Sequence, residues 1–171
     1  MKNLIIINGA PGMGKTTTCE ELSKILNKNV FLDCDCFMWA TPNVVTEETE
    51  RIRYENIVFT VNNYLRCSEY KNVIVAWVFV SQEKLDKITA ELNLAGVSIY
   101  IYSLICSKDI WKARMESDKI NQKRKIETTF EKWTKRIDEG YYDNIKAELI
   151  DTTNLSAKQV AEQIAEDIGR A

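Results

Sequence analysis

Leu4-Ile5-Ile6-Ile7-Asn8, followed at once by Gly9-Ala10-Pro11-Gly12-Met13-Gly14-Lys15-Thr16, decides how the rest of the chain is read. The apolar residues show no alternation, so they read as a strand buried on both faces, as the strands of a parallel sheet are. The eight residues after Asn8 fit GxxxxGK[ST], a loop made to hold phosphate. Glycines at 9, 12 and 14 permit the positive-φ turns that aim successive N–H groups into one cavity. A helix opening at Lys15 adds its unpaired N–H groups and its dipole.

This loop nominates Gly9, Pro11, Gly12, Met13 and Gly14 as contacts of the donor phosphates. Lys15 is placed to reach the β- and γ-phosphates, the Thr16 hydroxyl to take one position on Mg²⁺, and Thr17 to touch the α-phosphate. The cofactors expected are therefore ATP and Mg²⁺.

The 171 residues fit one domain spanning 1–171, with 45% hydrophobic and 28% charged residues and no linker, repeat or low-complexity tract. No apolar run approaches the roughly 18 residues of a membrane span, and the first strand begins too early for a signal peptide. A cytoplasmic protein without a membrane partner is expected. The five cysteines (Cys19, Cys34, Cys36, Cys67, Cys106) form no CxxC pair, and histidine is absent. They read as reduced, packed thiols, and any general base must be a carboxylate or another group. A net charge of −2 argues against a nucleic-acid partner. Against that background Lys108 to Arg136 carries ten basic residues and five acidic ones, which suits one region to phosphate.

Outward from the loop, a helix is expected from Lys15 to about residue 27, then a short strand at Val30-Phe31-Leu32 that ends at Asp33-Cys34-Asp35. Thr46 caps a helix that runs to about Arg66, with Glu47 and Glu48 at its favourable end. Val73 to Val80 reads as a central strand, Ser81 opens a helix that closes near Gly96, and Val97 to Ile105 is a fourth strand. Ser107 caps a helix through Arg114. Residues from about Ser117 to Lys125 lack apolar periodicity and read as a basic lid, set within about 114–127. A helix at 127–139, a strand at 148–151 and a final helix behind a Ser156–Gln159 capping box complete the pattern. Strands alternating with helices imply right-handed crossovers and an α/β fold, a parallel sheet with helices on both faces.

Asp33 and Asp35 are the second chemical feature. If the strand persists to Asp35, both carboxylates project to one face and open toward the phosphate loop at the strand C-termini. Such a pair repels unless a cation holds it. One acid then holds metal-bound water, and the other takes a proton from an acceptor hydroxyl. In the lid, Arg114 and Arg124 are candidates to stabilise charge on a moving phosphoryl group, with Lys119, Lys123 and Lys125 as neighbours. Trp39, Arg51 and Arg53 are candidates to line an acceptor pocket.

With GAPGMGKTT, FLDCD, SLICSKDIWKARMES and the ending Arg136-x4-Tyr141 then LIDTTNLSAKQVAEQI, the chain resembles the small P-loop kinases over nearly its whole length. That group includes shikimate kinase, gluconate kinase, adenylate kinase and kinase-like antibiotic phosphotransferases. The resemblance implies a three-layer P-loop NTPase fold with strand order 2-3-1-4-5 and a mobile basic lid. It implies a phosphotransferase that uses Mg·ATP on a small hydroxyl-bearing molecule, acting as a monomer or homodimer. By resemblance Asp33 serves Mg²⁺, Asp35 orients the acceptor hydroxyl, and Arg136 binds an acidic group of the acceptor. The loop carrying Thr152, Thr153 and Asn154 packs on adenine. The chain differs from shikimate kinases at Trp77-Val78-Phe79-Val80, where they carry a glycine-rich turn. It lacks the DG-x-PR of adenylate kinases and the DR[YH] of thymidylate kinases. A nucleoside or nucleotide kinase and a regulatory ATPase without a small acceptor are the alternatives.

Overall fold

In the computed structural model, which describes residues 1–122 and 126–170, a five-stranded parallel sheet is interleaved with helices. The elements run β1 (Lys2–Asn8), α1 (Lys15–Ile25), β2 (Asn29–Asp33), α2 (Glu47–Arg66), β3 (Asn72–Ala76) and α3 (Gln82–Ala90). They continue as β4 (Val97–Ile105), α4 (Lys108–Gln122), α5 (Ile126–Asp138), β5 (Glu148–Asp151) and α6 (Ala157–Arg170). The strand order is β2-β3-β1-β4-β5, the order that the resemblance implies.

The sheet is built around β1. Leu4, Ile5, Ile6 and Ile7 are all buried, and because successive side chains point to opposite faces, both faces must be covered. The strand pairs with β3 on one side and β4 on the other, so no backbone group of its centre is left to solvent. On one flank α1 packs against α6, whose Val160, Ala161 and Ile164 are buried. Among the described residues no helix is long and apolar enough to cross a membrane.

Two caps are as the sequence reads them. Thr46 accepts from the Thr49 N–H at 3.2 Å, and Ser156 and Gln159 close a reciprocal capping box ahead of α6. Four boundaries differ. α3 closes at Ala90 rather than near Gly96, because its ladder is already capped at Glu91. β3 ends at Ala76 rather than Val80: the Trp77 N–H still reaches the Ile7 carbonyl, after which the backbone turns away. An unbroken apolar run cannot distinguish a buried strand from a buried turn. β2 ends at Asp33, whose carboxylate accepts the Asp35 N–H at 3.1 Å and caps a 3-10 turn at Cys34–Met38. The strand therefore does not persist to Asp35, and the alternation argument for the two acids gives way to a turn. α4 continues to Gln122 through the first part of the stretch read as a lid. Propagating an existing helix is easier than starting one, so α4 extends past its apolar residues into a polar stretch where periodicity does not reveal it.

One side chain ties the C-terminal ends of the central strands together. Asn8 is 1% exposed; its amide donates to the Ser103 hydroxyl on β4 at 2.9 Å. Its carbonyl oxygen accepts from the Phe79 N–H and the Tyr141 hydroxyl, each at 3.0 Å. Asn8→Ala is expected to leave these buried groups unpaired and to lower stability by about 2–4 kcal/mol, on the ~1–3 kcal/mol typical of each orphaned group. A urea titration checks it through a lowered midpoint at unchanged slope.

Candidate active site

The phosphate loop leaves β1 at Asn8 and enters α1 at Lys15, with φ of 149° at Gly9, 80° at Gly12 and 91° at Gly14. Gly12 is required twice over. Its φ is left-handed, and a Cβ there would stand 2.7 Å from Met115 Cγ and 3.4 Å from Trp111 Nε1. Trp111 itself is 1% exposed and donates its indole N–H to the Pro11 carbonyl at 2.8 Å. The Ala10 N–H donates to the Tyr142 hydroxyl at 3.3 Å. Burial pushes the Tyr142 phenol up to about 12, so it is neutral at ordinary pH. Two aromatic side chains from the second half of the chain thus fix the outer face of the loop. The first turn of α1 carries no side-chain cap and no acid, so its N–H groups suit an anion.

The loop forms one wall of a cleft of about 940 Å³. Lys15 reaches back over the loop to donate to the Ala10 carbonyl at 3.3 Å. The Thr16 hydroxyl donates to Asp33 Oδ2 at 2.8 Å, while Asp33 Oδ1 holds the Asp35 N–H. Asp33 and Asp35 both line the cleft, so the 3-10 turn achieves what an extended strand was expected to do. The hydroxyl and carboxylate oxygens of Thr16 and Asp33 are hard donors of the kind Mg²⁺ takes, with the remaining positions left for phosphate and water. Among the described residues no cluster of three or more Asp, Glu, His or Cys could bind a metal without such help. Cys19 and Cys34 are buried beside Asp33, and burial, reinforced by the aspartate, raises both thiols. They pack and do not react.

Arg114 also lines the cleft, but its guanidinium is directed at the loop after β5. It donates to the Thr152 hydroxyl and carbonyl, both at 2.8 Å. Thr152 in turn is held by the Ile105 carbonyl through its N–H at 2.7 Å. The cleft wall here is Thr152 with Leu155, Ser156 and Ala157. Thr153 and Asn154 are not among the lining residues. The Thr153 hydroxyl instead donates to Asp151 at 2.6 Å and accepts from the Ser107 N–H at 2.9 Å.

On the opposite side stand Cys36, Trp39, Trp77 and Val78. Trp39 lies as expected and is 86% exposed. Arg53 does not enter the cleft. It is ion-paired to Glu50, bonded to the Met38 sulfur, and lies 5.6 Å from the Trp77 ring centre. Arg51 pairs with Glu55 on the outer surface of α2. Arg136 stacks over Trp133 at 5.2 Å, also away from the lining. Arg124, Lys123, Lys125 and the side chain of Lys119 lie outside the described residues.

Sequence reasoning did not single out Asn8, Trp111 or Tyr142. No local pattern marks them, because each acts on a partner 70 or more residues away. Trp77, which lines the cleft, stands where the resemblance led us to expect glycine.

The family model described as an AAA domain matches residues 5–150. A search of curated proteins by sequence finds no match. Among solved structures, the tunicamycin resistance protein of Deinococcus radiodurans superposes with a TM-score of 0.71 at 21% identity, covering 98% of this chain and 96% of that one. A gluconokinase from Sinorhizobium meliloti 1021 gives 0.66 at 14% identity, over 98% and 96%. Shikimate kinase from Acinetobacter baumannii, in complex with shikimate, gives 0.66 at 18% identity, over 99% and 94%. At these identities the likeness is one of fold, and the fold is that of P-loop NTPases.

Trp111→Phe keeps an aromatic ring, though a smaller one, and removes the donor to Pro11. It is expected to cost about 1–3 kcal/mol of stability, from the lost hydrogen bond and the space left where the indole was buried. It should also weaken nucleotide binding, and urea unfolding with an ATP titration of the same variant checks both.

Proposed function

The chain belongs to the AAA domain family, and from that premise we propose that it is a phosphotransferase that uses Mg·ATP to phosphorylate a hydroxyl of a small molecule. The observation that carries the reading is the facing of Lys15 and Thr16 against Asp33 and Asp35 in one cleft, with Thr16 bonded to Asp33. A motor or switch needs no acceptor-orienting acid, and β3 ends here at Ala76 and Trp77 without the carboxylate such proteins draw from that strand.

In this reading each residue takes one role. The loop N–H groups and Lys15 hold the donor triphosphate, with Gly9 to Gly14 shaping the cradle and Thr17 beside it. Thr16 and Asp33 would hold Mg²⁺, which when bound neutralises charge on the β- and γ-phosphates. Arg114 keeps Thr152 against the donor side and retains guanidinium N–H groups for phosphate, since its fork has five and two serve Thr152. Arg124 belongs to the basic stretch proposed to approach the moving phosphoryl group. Asp35 accepts a hydrogen bond from the acceptor hydroxyl. The hydroxyl oxygen attacks the γ-phosphorus, the bond to the bridging oxygen breaks, ADP leaves, and the hydroxyl proton passes to Asp35. Most of the rate comes from alignment and fixed charge.

Mg·ATP at about a hundred times its dissociation constant should stabilise the protein by roughly 2.7 kcal/mol. That corresponds to about 5–10 °C in Tm for a chain of this size. Lys15→Ala should abolish the shift, and no shift in the wild type would remove the donor-site reading. Asp35→Asn should keep the shift while lowering acceptor-dependent ADP release about 10²–10⁴-fold, the range for loss of a general base. Turnover unchanged in that variant would remove its role.

A further inference from the structure

The two ends of the cleft differ in character. The donor end holds Lys15, the loop N–H groups and Arg114. Beyond Asp35 the described lining is Cys36, Trp39, Trp77 and Val78, which includes no cation. The nearest arginine, Arg53, keeps only 12% of its side chain exposed and lies behind Trp77, held by Glu50 and Met38. Phe79 meets Trp77 edge-on at 5.0 Å between ring centres. Trp77 is therefore fixed by a guanidinium and by an aromatic edge, and it also lines the cleft. Trp39, almost fully exposed, lines the same end beside the acids.

An anionic acceptor entering here would meet Asp35 beside an anionic donor, and among the described residues lining this end no side chain carries a positive charge to receive it. Like charges brought together in this way cost several kcal/mol. An indole face favours the C–H edges of a ring or a positive charge. From the cleft and its lining we infer that the acceptor is a ring-bearing alcohol without negative charge, neutral or cationic. Its ring lies against Trp39 and Trp77 and its hydroxyl faces Asp35. The inference rests on the kinase reading above and narrows it: a neutral or cationic acceptor is preferred over one of the same shape that carries a carboxylate or phosphate. Arg136, stacked on Trp133, is not required for recognition.

The test is ADP release from Mg·ATP with ring-bearing acceptors matched for shape and differing in charge. The pairs are methyl shikimate with shikimate and methyl glucuronate with glucuronate, in which each ester keeps every hydroxyl of its acid, with adenosine as a neutral nucleoside and kanamycin as a larger cation. A neutral or cationic member should raise the acceptor-free rate at least tenfold and exceed its anionic partner in kcat/KM. The arms separate sugar, aminocyclitol and nucleoside sources of the same chemistry. Trp39→Ala should raise KM for that acceptor about tenfold, the loss expected for one aromatic stacking contact, with kcat nearly unchanged and Trp39→Phe restoring KM. Highest kcat/KM with an anionic member, or no member raising ADP release in a protein that Mg·ATP stabilises, overturns the inference. Absence of Mg·ATP stabilisation would instead remove the kinase reading on which it rests.

Discussion

The structure depends on how the end of a buried strand is converted into an open loop. β1 is covered on both faces and paired on both edges, so its last residue must hand a stretched backbone to a loop that turns through positive φ at three glycines. Asn8 does this by binding three separate elements with one amide: β4 through Ser103, the turn after β3 through Phe79, and the segment before β5 through Tyr141. In a buried setting each of these bonds is protected from competition by water, and each would be costly to leave unmade. The segments that form the mouth of the cleft are thus referred to a single polar group. Trp111 on Pro11 and Tyr142 on Ala10 extend the same fixation to the loop.

The phosphate loop and the caps of α2 and α6 were legible because their signals are local, whereas the strand order came only with the resemblance. A glycine pattern, an acidic first turn or a Ser-x-x-Gln box acts within a few residues, and the physics that rewards it is visible in the same window. Asp33 and Asp35 were found for a partly mistaken reason. The expected strand gives way to a turn that Asp33 itself caps, since an aspartate side chain competes with the sheet for backbone N–H groups. The end of β3 and the length of α4 were missed because apolar run length and periodicity do not report where a buried backbone turns or where a solvated helix stops. Arg53 shows the limit most plainly. Its position near the acids was readable, but its capture by Glu50, Met38 and Trp77 depends on how α2 packs on its surroundings.

Charge is divided along the cleft in a way that fits the proposed chemistry. Basic groups stand on the donor side, where a triphosphate needs them, and acids with indoles stand where a hydroxyl would be brought in. Arg114 illustrates the economy of the donor side. Its fork fixes Thr152 and so ties α4 to the loop after β5, while the same side chain remains part of the wall. Among the small-molecule kinases that share the fold, acceptors are named that carry carboxylates, gluconate and shikimate. The indole-lined end of this cleft is the basis on which a different, uncharged or cationic acceptor is proposed for this chain.

β2 lies at the rim of the sheet and pairs only with β3, whereas the strand that carries the phosphate loop is the innermost of the five. On the kinase reading, the acids therefore follow a strand with one hydrogen-bonded neighbour and the phosphate loop a strand with two. A change of backbone position in β2 disturbs one ladder where the same change in β1 disturbs two, so the admitted molecule can be retuned at a smaller structural cost than the grip on the nucleotide.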